Sequence, residues 1–141
     1  MNANELRIGN YVNAPFYDKP IIVHSVCSIN EDIFNRTTGE IPIHSLSPIP
    51  LTEEILLKCG FEIEFEGMDM YIPLPIGDSL ELHIDSITEY DFINASITKG
   101  KKKGGIPGKD YQYFYLSECE HLHQLQNLYF ALTNTELKIE L

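Results

Sequence analysis

Between Glu120 and Leu132 the chain shows its strongest helical period, with Leu122, Leu125, Leu128 or Tyr129, and Leu132 spaced to share one face of an α-helix. Most other apolar residues fall in short β-branched or aromatic runs separated by Gly, Pro and Asn, so this helix is expected to pack across a sheet. Asn134 can stop it, and Leu137-Lys138-Ile139-Glu140-Leu141 alternates like a final strand.

A second, shorter helix is written into Thr52-Glu53-Glu54-Ile55-Leu56-Leu57-Lys58-Cys59-Gly60. Thr52 can cap the free backbone N–H groups, the two acids complement the positive end of the dipole, and Gly60 can take the left-handed position beyond the last turn. Before it, Leu6 to Val12 reads as one short strand, Ile21 to Val26 as another, Ser28 to Glu40 as a turn-rich excursion, and Ile41, Ile43 and Leu46 as a third strand. After it, Phe61 to Glu66 alternates apolar and acidic residues around a turn at Gly67-Met68-Asp69. Met70-Tyr71-Ile72, Leu80 to Ile84 and Tyr90 to Ile97 continue a meander, with Pro73 and Pro75 best placed at an edge. Tyr111 to Leu116 resumes β structure and makes 99–109 a long hairpin loop. The expectation is one α+β domain, 1–141, mainly antiparallel, with N-terminal strands that fit a small SH3-like barrel.

The formal charge of −11 opposes binding to nucleic acid or anionic membrane over most of the surface. Five of the ten cations, however, lie in one stretch: Lys99, Lys101, Lys102, Lys103 and Lys109. The remaining five cations face 21 acids, a balance of −16. Glycines between the lysines free backbone N–H groups, so this loop is a candidate anion site for a phosphate-containing ligand, a nucleic-acid backbone or an acidic partner, including a second copy of the chain. It is not a P-loop, because Lys103 stands five before Gly108 where a Gly is needed and Asp110 replaces the magnesium-holding Ser or Thr.

Cys119-Glu120-His121-Leu122-His123 carries three zinc-ligand types, but no second ligand pair matches it, and residues two apart on a helix do not adjoin. Cys119, His121 and His123 are therefore weak metal candidates, and no metal or cofactor is expected. His24, His44 and His83 read as half-buried side chains with ordinary hydrogen bonds, and the acidic face of Glu62, Glu64 and Glu66 as the wet side of a sheet. Three cysteines without a close pair suit reduced thiols, and no 18-residue apolar run or leader-like start is present, which together predict a cytoplasmic protein that does not enter a membrane.

Taken as a set, Leu6-Arg7-Ile8-Gly9-Asn10-Tyr11-Val12, Ile49 to Phe61 and His123 to Thr133 resemble small uncharacterised proteins of Bacteroidetes bacteria and their phages or prophages. The resemblance implies a setting and no mechanism. With no catalytic constellation legible, the expected function is that of a non-enzymatic phage or mobile-element accessory protein working through protein–protein contacts. A nucleotide- or phosphate-binding protein such as an anti-defence sponge, using the basic loop, is the alternative, followed by direct nucleic-acid binding.

Overall fold

A computed structural model describes residues 1–65, 69–77, 79–85, 93–100, 102–103 and 106–141, with backbone alone at Phe65, Lys102, Lys103, Ile106 and Pro107. The fold is α+β, with antiparallel sheets, a short helix α1 (Glu53–Lys58) and a longer helix α2 (Leu122–Thr133). Its contacts gather in two compact units, one of residues 1–50, 121–137 and 141, the other of residues 51–120 and 138–140.

In the first unit, β1 (Tyr11–Val12) pairs with β2 (Ile21–Ile22), and β3 (Ser25–Cys27), β4 (Asp32–Asn35) and β5 (Gly39–Pro42) form a meander. A 3-10 turn over Ile43–Ser45 then leads to Ser47, which bridges back to Asn13 beside β1. The chain thus returns to its own first strand, while β1–β2 and β3–β4–β5 remain two separate antiparallel sheets, so the SH3-like barrel expected of these strands is not closed by strand pairing among the described residues. Leu6, Val12, Val23, Ile33, Ile41, Ile43 and Leu46 are among the unit's buried core.

The excursion expected over Ser28 to Glu40 is instead the β4–β5 hairpin. The Asn35 side-chain oxygen accepts from the N–H groups of Thr37 and Thr38, and Gly39 supplies φ +80°, so the turn is built by local hydrogen bonding. The third strand accordingly ends at Pro42, and Ile43 lies on the 3-10 turn.

Helix α2 buries Leu122, Leu125, Gln126, Tyr129 and Thr133, which turns the expected stripe by one residue away from Leu132. It ends at Asn134 in the left-handed conformation, as expected. It joins β1 mainly through amides. The Gln126 carboxamide accepts from Tyr11 N–H at 2.9 Å and donates to the Gly9 carbonyl at 3.1 Å, while the Asn127 side-chain oxygen accepts from Asn10 Nδ2 at 2.9 Å. Arg7 adds a bidentate pair with Glu136 and lies 4.1 Å from the Phe130 ring centroid. Leu6 to Val12 and His123 to Thr133, far apart in sequence, thus meet in space.

In the second unit α1 follows its grammar: the Thr52 hydroxyl accepts from Ile55 N–H at 3.2 Å, and Gly60 has φ +84° beyond the C-cap. A five-stranded meander follows, β6 (Glu62–Phe65), β7 (Asp69–Pro73), β8 (Leu80–Asp85), β9 (Asn94–Lys99) and β12 (Gln112–Glu118), joined in sequence order. The two-residue strands β10 (Lys102–Lys103) and β11 (Ile106–Pro107) pair inside the β9–β12 hairpin. Pro73 is not on an edge strand; it ends the interior strand β7, opposite Glu81, where the ladder is finishing anyway. Of the expected turn at Gly67-Met68-Asp69, Gly67 and Met68 lie outside the described residues, as do residues 90–92 of the expected Tyr90 to Ile97 strand. Leu137 to Leu141 does not form the expected strand; it finds no ladder partner among the described residues, and Glu140 N–H donates to the Lys58 carbonyl.

Gln126→Leu keeps the side-chain size but leaves the Tyr11 N–H and Gly9 carbonyl without their partner. It is expected to lower stability by about 2 kcal/mol, read as a reduced urea midpoint at unchanged slope.

Candidate functional site

The two edges of the five-stranded sheet are chemically different. β6 carries Glu62 and Glu64, charges that discourage a further strand. Ile63 between them is exposed rather than packed, because on this edge strand the expected apolar face is left uncovered. β12 runs Gln112-Tyr113-Phe114-Tyr115-Leu116-Ser117 before its first charge at Glu118. Its backbone pairs with β9 on one side, and among the described residues no segment pairs with the other. Tyr113, Phe114 and Tyr115 are 53%, 52% and 56% exposed.

Strand alternation sends these rings to both faces. Phe114 lies opposite Ile97 and extends the apolar face of Leu82, Ile84, Met70 and Ala95. Tyr113 and Tyr115 lie opposite Thr98 and Ser96 on the other face, in rows that continue to Glu81 and to His83 and Tyr71.

That second face is polar yet tightly closed. His83 is buried rather than half-buried, stacked on Tyr71 at 5.6 Å between ring centroids. Its Nδ1 is 2.9 Å from Asp69 and its Nε2 3.3 Å from Glu81. A carboxylate therefore lies within hydrogen-bond reach of each ring nitrogen. The Tyr71 hydroxyl donates to Glu62 at 2.7 Å, and this bond, with burial and nearby acids, pushes its pKa up to about 12. The Ser96 and Thr98 hydroxyls are buried without a hydrogen-bond partner among the described residues. His83 lies directly opposite Ser96 in the β8–β9 ladder.

Topology gathers several of the lysines singled out from sequence. Lys99 ends β9 opposite Gln112, Lys102 and Lys103 make up β10, and Lys109 is exposed in the turn before β12. Gly100, with φ +96°, turns the chain there, and a Cβ on it would come within 2.9 Å of the Asp110 carbonyl oxygen. Lys101 lies outside the described residues.

The Cys119-to-His123 cluster is spread over different environments. Cys119 is buried, and burial pushes its thiol up to about 12, which removes thiolate character. His121 precedes α2 and stacks with buried His123 at 5.8 Å. Among the described residues no three His, Cys, Asp or Glu side chains form a metal-binding group.

The first unit also has a cleft of about 550 Å³, lined in part by Tyr11, Tyr17, Lys19, Ile22, His24 and Thr38. The Thr38 hydroxyl has no hydrogen-bond partner among the described residues. Beside Tyr17, Phe16 is fully exposed on a left-handed backbone with φ +68°.

Sequence reasoning placed Tyr113, Phe114 and Tyr115 on a strand without marking them as a site. The available signal was a strand with rings on successive positions and no charge, which leaves neither face polar.

Burial, then the neighbouring His121, holds the His123 imidazole below its ordinary 6.5. The unfolded chain therefore binds this proton first, and stability is lost as pH falls below 6.5. His123→Leu is expected to shrink the difference in urea midpoint between about pH 7.5 and pH 5.5.

No family model, curated protein or solved structure matches this chain.

Proposed function

We propose that this chain is a non-enzymatic interaction module that engages protein through the outer edge of β12. The observation that carries the reading is the uncovered strand with Tyr113, Phe114 and Tyr115 half exposed on successive positions. An added strand would gain main-chain hydrogen bonds from the edge and pack side chains against the rings on both faces. The contrast with β6 supports this, since charge guards one edge and is missing from the middle of the other. In the setting suggested by the resemblance of Leu6 to Val12, Ile49 to Phe61 and His123 to Thr133, such a module is an accessory protein of a Bacteroidetes phage or other mobile element.

Phe114→Lys places a charge in the middle of the edge. The parent chain, immobilised in a Bacteroidetes lysate, is expected to retain a protein that Phe114→Lys does not, with equal urea midpoints for the two. Equal retention by both, or retention of nothing in an assay that detects self-association as well, would overturn the reading.

A second reading is supported by the lysines at the hairpin end: binding of a phosphate-containing small ligand, with a nucleic-acid backbone as the further alternative. Differential scanning fluorimetry against cyclic and linear nucleotides and short nucleic acids, at two salt concentrations, separates these. Stabilisation by several degrees that disappears in Lys102→Gln/Lys103→Gln is the expected result for this reading. A flat response in the parent chain removes it.

A further inference from the structure

We infer that the occupant of the β12 edge is the β12 edge of a second copy, the two strands running antiparallel about a twofold axis at Phe114. The inference rests on the edge-strand reading and adds the identity of the partner.

Charge selects this arrangement. At one end of the sheet, Asp69, Asp85, Asn94 and Glu118 align in a single row across β7, β8, β9 and β12, with Glu120 following two residues later. At the other end Lys99 opposes Gln112, and the hairpin continues through Lys102, Lys103 and Lys109. The edge therefore runs from a basic end to an acidic end, with six uncharged residues from Gln112 to Ser117 between them. Parallel pairing of two such edges would set lysines beside lysines and carboxylates beside carboxylates. Antiparallel pairing sets each basic end beside the partner copy's acidic row, twice. A chain of net charge −11 otherwise repels its own copies, so these opposed ends supply the local attraction that self-association requires.

Side-chain geometry fixes the register. A twofold axis perpendicular to the sheet must pass through a residue pair, because facing residues share a face. The ladder of β12 shifts between Tyr115 and Ser117, so regular backbone is available up to Tyr115. Centring on Phe114 keeps the aromatic stretch before that shift. Phe114 of each copy then faces Phe114 of the other, and Tyr113 faces Tyr115, so all six rings form cross-strand pairs. The two five-stranded sheets become one continuous sheet.

Sedimentation velocity on the full chain tests this directly. At low salt the expected species has twice the 16.1 kDa chain mass and shifts toward monomer as salt is raised. Phe114→Lys is expected to be monomeric at every concentration. Disulfide trapping reads the register in a Cys27→Ser background, which removes the exposed native thiol. Phe114→Cys should cross-link to itself on mild oxidation, because directly facing strand residues have the Cα separation a disulfide needs. Tyr113→Cys should cross-link with Tyr115→Cys and not with itself. A parent chain that is monomeric at low salt and high concentration, with no Phe114→Cys cross-link, overturns self-pairing. If that monomer still retains a foreign protein that Phe114→Lys loses, the edge-strand reading survives; if neither retains anything, both fail.

Discussion

The backbone at the start of β1 cannot satisfy itself. The Gly9 carbonyl and the Tyr11 N–H are answered by no strand among the described residues, and the groups that take them come from a helix more than a hundred residues later: Gln126 takes both, and Asn127 takes the Asn10 amide. An unpaired buried amide costs about 1–3 kcal/mol, so the N-terminal strands and α2 are each a condition for the other. Leu122 and Leu125 of α2 are fully buried, but apolar contacts of this kind would tolerate sliding along the helix axis. The carboxamides allow one register, and Arg7, held by Glu136 beneath Phe130, fixes the same register from the flank.

The sheet unit solves a different problem, and solves it on one edge only. Its interior strands bury Leu82, Ile84, Met70 and Ala95 on one face and His83, Ser96 and Thr98 on the other. A sheet closed on both faces can interact laterally, and β6 is made unattractive by carboxylates. What remains is β12. Behind that edge, the His83 ring is held between Asp69 and Glu81, which pins the second face of the sheet.

Much of the architecture was legible because local grammar and global fold agree. Thr52 and Gly60 bound α1, Asn134 stops α2, and the Gly- and Lys-rich stretch before Tyr111 marks a hairpin whose strands do pair. Where the reading missed, non-local partners decided. The β4–β5 hairpin hid behind Asn35, whose side chain bonds the turn backbone in a polar stretch that looks like loop. Leu137 to Leu141 alternates as a strand should, yet alternation cannot supply a neighbouring edge. The same gap concealed the candidate site. Tyr113, Phe114 and Tyr115 read as strand residues from sequence, and only the sheet order makes them the outermost row. The Cys119-to-His123 residues are close in sequence but differ in surroundings: Cys119 is buried, which pushes its thiol up to about 12, His121 is the N-cap of α2 and His123 is buried in its first turn.

The first unit is discontinuous, made of residues 1–50 and 121–137, with all the strands of the five-stranded sheet encoded between them. On a ribosome adding roughly 5–20 residues per second, the Tyr11 N–H would emerge on the order of ten seconds before its acceptor on Gln126. By the end of that interval the nascent chain has every strand of the five-stranded sheet in hand, while the first unit still waits for its helix. Translation order therefore completes the strands of the sheet before the first unit, although that unit's own strands are made earlier.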